Sequence, residues 1–157
     1  MLDLWPDELD IPDMKAPLRI LRKQADLLGK KTRNIVEAEV VRDDERDQYG
    51  WEQTSFVYRF RIVAPLLGGY RYLLFSISHD VNFYPLEIIL DEDLAKEISF
   101  QNNQNEKIQI ASESEFIKIL RMIFAARKTK QVITAIKLQS TDDGADTPKP
   151  DPDDIPF

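Results

Sequence analysis

The sequence predicts an α+β fold: an antiparallel sheet with an N-terminal amphipathic helix and C-terminal helices, followed by a disordered acidic tail. Three observations predict it. Apolar residues recur at helical spacing early and late in the chain. Between them lies a run that alternates apolar and polar with a period of two. The strands come in succession rather than alternating with helices, which favours antiparallel pairing over a parallel α/β arrangement. The 157 residues divide into an acidic arm at 1–13, one α+β domain at 14–139 and a tail at 140–157.

The first helix is predicted from Pro17, which suits a first helical turn, to a stop at Gly29. Leu18, Leu21, Ala25 and Leu28 share one face, while Arg19, Arg22, Lys23 and Asp26 lie elsewhere. Lys30, Lys31 and Arg33 follow as basic residues that suit a helix end, or alternatively a phosphate. The β-branched content of Ile35 to Val41 predicts a strand, and Asp43 to Gly50 a charged loop. Phe56, Tyr58, Phe60 and Ile62 alternate with Val57, Arg59, Arg61 and Val63. Pro65 to Gly69 supplies a turn, and Tyr70 to Ser78 returns as the second arm of a hairpin.

Pro85 opens a further strand, Leu86 to Leu90, and Asp91 is placed to cap a short helix over Leu94 to Ile98. A polar turn at Gln101 to Glu106 precedes a short strand, Lys107 to Ile110. Ser112 and Glu115 form a capping box ahead of Phe116, Ile119, Leu120, Ile123 and Phe124 at helical spacing. Thr129 is read as the cap of a last short helix carrying Val132, Ile133 and Ile136.

Composition excludes several chemistries. There is no Cys, so neither a disulfide framework nor a thiolate metal site is available. One His rules out a multi-histidine metal centre within one chain. No stretch has the length to span a bilayer and the N-terminus lacks a signal-peptide pattern, so a cytoplasmic protein without membrane partners is expected. The net charge of −7 is unevenly spread. Residues 1–13 carry −5, residues 140–157 carry −5, and the middle holds 20 bases against 17 acids, +3.

Candidate chemistry in the body is sparse. His79-Asp80 resembles acid–base equipment, but no nucleophile motif, P-loop or dinucleotide fingerprint accompanies it, and a structural histidine accounts for it more simply. Asp91, Glu92 and Asp93 would suit a hard cation in a small metal-dependent nuclease, or merely the start of a helix. Arg59, Arg61 and Arg71 lie beside Tyr58, Phe60, Tyr70 and Tyr72. Bases flanking aromatic rings are the equipment of single-strand binders, although alternating aromatics also make ordinary core faces. Arg59, Arg61, Arg71, Tyr70 and Tyr72 are therefore the candidate nucleic-acid contacts for single-stranded DNA. No cofactor site and no catalytic residues are predicted. In the acidic arm, Leu2, Leu4, Trp5, Leu9 and Ile11 sit among carboxylates. Trp5 is expected to pack on the body, with a second docking peptide as the alternative.

The tail carries six Asp, four Pro and one Lys, with no large apolar side chain before Ile155. Such a segment cannot offset its ordering entropy by burial, and its prolines favour extended geometry. Its last seven residues, Asp151-Pro152-Asp153-Asp154-Ile155-Pro156-Phe157, join an acidic run to Ile-Pro-Phe. This resembles the docking tip of bacterial single-stranded DNA-binding protein (SSB). The resemblance covers those seven residues only, and the body is not similar to the SSB barrel. It implies that Asp151, Asp153, Asp154, Ile155, Pro156 and Phe157 bind a partner, the Phe ring and its carboxylate acting together. The partners it implies are SSB-tip-binding genome-maintenance proteins: an exonuclease, a helicase, a recombination mediator or a clamp-loader-associated subunit. The chain is then a non-catalytic adaptor or inhibitor. A solubilising tail with no docking role is the alternative reading.

Overall fold

The computed structural model describes residues 1–9, 15–43, 55–98 and 107–141. The element order is α1 (Pro17–Lys31), β1 (Glu37–Arg42), β2 (Phe56–Ala64), a 3-10 turn (Pro65–Leu67), β3 (Tyr70–His79), β4 (Leu86–Leu90), α2 (Glu92–Ile98), β5 (Lys107–Ile110), α3 (Glu113–Ala125) and α4 (Arg127–Gln139). The five strands form one antiparallel meander in chain order, β1-β2-β3-β4-β5. The predicted α+β class with an N-terminal helix is thus present.

The alternation in the hairpin sets up the core. Tyr58, Phe60, Ile62 and Ala64 point inward from β2, and Phe60 stacks on its cross-strand partner Phe75 with ring centroids 5.0 Å apart. The β2–β3 register slips between Phe60 and Arg61: Phe60 pairs with Phe75 but Arg61 pairs with Leu73. Leu74 is the extra residue of a β-bulge, and both Leu74 and Phe75 are buried as a result. Helices cover this inward face. Leu21 from α1, Leu94 from α2, Phe116, Leu120 and Ile123 from α3, and Ile136 from α4 join the sheet residues in one apolar cluster. Among the described residues, no helix residue of that cluster packs on the other face of the sheet.

The helix ends differ from expectation where long-range contacts decide them. α1 does not stop at Gly29 but runs to Lys31. Arg33 and Asn34 then both take left-handed backbone angles, φ 54° and 66°. Thr32 closes this end: its hydroxyl contacts the Leu28 and Val36 carbonyls and accepts the Val36 N–H. Gly29 is buried, and a Cβ there would meet Asn34 Oδ1 at 3.3 Å, so its small size serves packing. The capping box before α3 forms as expected, with Ser112 Oγ accepting the Glu115 N–H at 3.3 Å.

α4 begins at Arg127, so Thr129 lies inside the first turn and is not its cap. Buried Thr129 instead donates its hydroxyl to the Ile123 carbonyl of α3 at 2.6 Å, tying the two helices together. The start of α4 is capped from a distance: the Glu97 carboxylate of α2 accepts the N–H groups of Arg127 and Lys128. Trp5 also departs from expectation, being 75% exposed rather than packed on the body. The loop after Asp43 and the turn at 101–106 lie outside the described residues.

Candidate functional sites

The SSB-like tip, Asp151, Asp153, Asp154, Ile155, Pro156 and Phe157, lies outside the described residues. The candidate nucleic-acid contacts do not form one surface. Directly paired residues in an antiparallel sheet share a face, and the register therefore sorts them. Arg59 pairs with Val41 and Ser76, Arg61 with Glu39 and Leu73, and Arg71 with Val63, all on the helix-free face. Tyr70 pairs with Ala64 and Tyr72 with Ile62, on the face that α4 covers. The rings and guanidiniums of the hairpin thus point to opposite sides.

Each arginine also has a carboxylate. Arg59 Nη2 lies 3.0 Å from Asp43 Oδ2, Arg71 Nε lies 2.7 Å from Glu39 Oε1, and Arg61 Nη1 lies 3.8 Å from the same Glu39 oxygen. The described helix-free face carries Arg59, Arg61, Arg71 and Lys107 against Glu37, Glu39, Asp43 and Glu87, four bases and four acids. Tyr70 is 52% exposed at the hairpin end. The Tyr72 hydroxyl donates to Asp91 Oδ2 at 3.0 Å. Burial, then that carboxylate, pushes its pKa from 10.0 up to about 12.

The acidic triplet is engaged structurally. Asp91 Oδ1 accepts the Leu94 N–H at 2.8 Å as the cap of α2, while Asp93 pairs with Lys128 and Glu92 with Lys96. Among the described residues, no three His, Asp or Glu side chains converge as a metal site would require.

His79 occupies a different setting from that of a solvent-facing acid–base group. It is only 7% exposed, at the end of β3. Its ring stacks on Phe56 at 5.6 Å, tilts against Tyr58 at 5.8 Å and meets the edge of Phe83 at 5.7 Å. Nδ1 lies 2.7 Å from the Asp80 carbonyl, which can only accept, so Nδ1 carries a proton. Nε2 is buried without a hydrogen-bond partner. Ala16, Leu18, Phe56, His79, Val81 and Phe83 line a groove of about 260 Å³ beside it. Phe83 is held at φ 73°, a strained angle for a bulky residue.

The sequence reading singled out His79 but missed Phe56, Val81 and Phe83 as its companions. The groove is assembled from α1, β2 and β3 and the loop after β3, so no local pattern announces it. Compared with known proteins, the chain matches no family model, no curated protein and no solved structure.

Proposed function

We propose that this is a non-catalytic binding protein that docks through Asp151–Phe157 on SSB-tip-binding replication, recombination or repair proteins. The observation that carries the reading is the acidic run joined to Ile-Pro-Phe at 151–157. Ile155 and Phe157 supply the apolar anchors, and Pro156 between them limits the conformations lost on binding. Asp151, Asp153 and Asp154 meet a basic rim and speed encounter more than they add to final affinity. The adaptor form of the reading brings such an enzyme to a target held by the body. The inhibitor form occupies the pocket that SSB would use.

The test measures binding of the whole chain to a purified tip-binding exonuclease, with and without Phe157. Intact protein should bind and be displaced by a peptide of the SSB tip, and removal of Phe157 should abolish binding. Equal binding by both chains, or none by either across several tip-binding enzymes, refutes the reading.

A further inference from the structure

We infer that the cleft between α1 and α4 is a binding site for a small aromatic monocarboxylate, its ring in the cleft and its carboxylate on Lys31. The helix layer over the sheet is incomplete at this point. α1 packs chiefly on β1, whereas α4 packs on α2 and α3. The gap between them holds about 200 Å³. Its floor is the sheet itself: Phe60 and Ile62 line it although they are only 2% and 1% exposed. Leu27 and Leu28 of α1 form one wall, and Phe124 of α3 with Ile133 of α4 the other. Native cores fill such space, and a cavity of about 150 Å³ walled by Leu, Ile and Phe already takes a benzene ring. Phe60 and Phe124, with centroids 5.5 Å apart, offer ring surface for edge-to-face or offset contact with a third ring.

The polar groups at the cleft are few and point to an anion. Besides Thr129, whose hydroxyl is spent on the Ile123 carbonyl, they are Gln24 and Lys31. These two stand seven residues apart, two turns along one side of α1. Neither side chain has a hydrogen-bond or ion-pair partner among the described residues. The helix end does not need Lys31: the Leu28, Gly29 and Lys30 carbonyls accept the N–H groups of Thr32, Asn34 and Arg33. No carboxylate of the two helices competes for it. α4 has no acid, and the only acid of α1, Asp26, pairs with Lys30 and projects from the opposite side of the helix to Gln24. Lys130 and Lys137 flank Ile133 at i−3 and i+4 and bring further positive charge to the α4 lip. An apolar hollow with a few convergent polar groups is how small-molecule sites are built. The volume limits the apolar part to one ring, and the ammonium at the lip specifies one carboxylate, to which the Gln24 amide can also donate. A neutral ring would leave Lys31 unused, and a polyphosphate would leave the apolar floor unused.

The site is independent of the docking role of the tail and gives the body a ligand of its own. The test titrates the isotope-labelled whole chain with phenylacetate and, separately, with neutral phenylacetamide, following backbone amide shifts. Saturable shifts at Gln24, Leu28, Lys31, Phe124 and Ile133 are expected with phenylacetate, and several-fold weaker binding with the amide. Lys31→Gln, at an exposed position, should bring the acid down to the affinity of the amide. Lys30→Gln, which removes the cation paired with Asp26, should not. Ile133→Trp fills the hollow from a half-buried lip position and should abolish binding of both probes. Its own amide spectrum shows whether it folds, and Lys31→Gln decides the case if it does not. No saturable shift with either probe, equal affinity for acid and amide, or an acid preference that survives Lys31→Gln overturns the inference. Shifts spread over the exposed lysines of both helices rather than the cleft overturn it as well, because the anion is then held by charge alone.

Discussion

Asp91 decides between two readings of the acidic triplet, and its removal has a calculable cost. The side chain holds two partners at once: Oδ1 caps α2 through the Leu94 N–H, and Oδ2 receives the Tyr72 hydroxyl. Loss of an Asp cap costs about 1 kcal/mol. The stranded, partly buried tyrosine hydroxyl adds about 1–2 kcal/mol, at the low end if water replaces the carboxylate. Asp91→Ala should therefore destabilise the protein by about 2–3 kcal/mol, which for a domain of this length lowers Tm by roughly 8–12 °C. Tyr72→Phe alone should cost about 1 kcal/mol. Because the two residues share one hydrogen bond, the double variant should fall short of the sum by about 1 kcal/mol.

Urea denaturation of the four chains measures this. Alkaline pH supplies a second readout with a fixed sign. A hydroxyl whose pKa rises from 10.0 to about 12 on folding contributes stability that is complete below pH 10. That contribution drains away as pH climbs from 10 to 12. Tyr72→Phe should reduce this alkaline loss without removing it, since burial holds Tyr84 near 12 as well. Additive single effects, or an unchanged alkaline profile, would refute the shared-bond argument. A metal role has its own signature. Mg2+ at ten times its Kd would stabilise the native chain by about 1.4 kcal/mol and Asp91→Ala not at all. Coincident melting curves with and without Mg2+ are expected.

Three further outcomes follow from the geometry. Glu97→Ala removes the carboxylate that caps α4 from α2, and should cost about 1–2 kcal/mol in urea denaturation; Glu97→Gln should recover part of it. Phe60→Ala strips a ring packed against both Phe75 and Phe124, and should cost about 3–5 kcal/mol, enough to leave the chain largely unfolded near its normal melting range. Single-stranded DNA titrated at several salt concentrations should show little or no binding and a log–log slope near zero, since each phosphate contact would contribute about 0.7 to that slope. Glu39→Gln with Asp43→Asn should steepen it by releasing the paired arginines, and a steep slope in the native chain would revive the DNA-binding reading.

The parts of the fold legible in the sequence are those set by neighbours in the chain. β2 reads plainly because one face of the sheet is buried, so Tyr58, Phe60 and Ile62 must alternate with polar partners. α1 and the Ser112–Glu115 box are legible for the same local reason. What escaped depends on residues far apart. Thr129 looks like a cap because it precedes an apolar run, but Glu97, 30 residues before Arg127, does the capping and Thr129 bridges α3 and α4 instead. The arginines and tyrosines of the hairpin look like one constellation until the register, with its bulge at Leu74, sends them to opposite faces. Cross-strand partners such as Glu39 for Arg71 are 32 residues apart and leave no trace in local composition.

The register also locates the charge that matters for long-range attraction. Between Lys15 and Gln139 the described residues hold 19 bases and 12 acids, a surplus of +7. The helix-free face accounts for four of each and contributes nothing. The whole surplus, fifteen bases against eight acids, therefore lies on the rest of the body, chiefly on α1 and α4. An anionic ligand approaching from a distance is drawn to the helical side and not to the open sheet, contrary to where a stacking platform would need it. That attraction is screened beyond about 8 Å at physiological ionic strength, so it should weaken as salt rises.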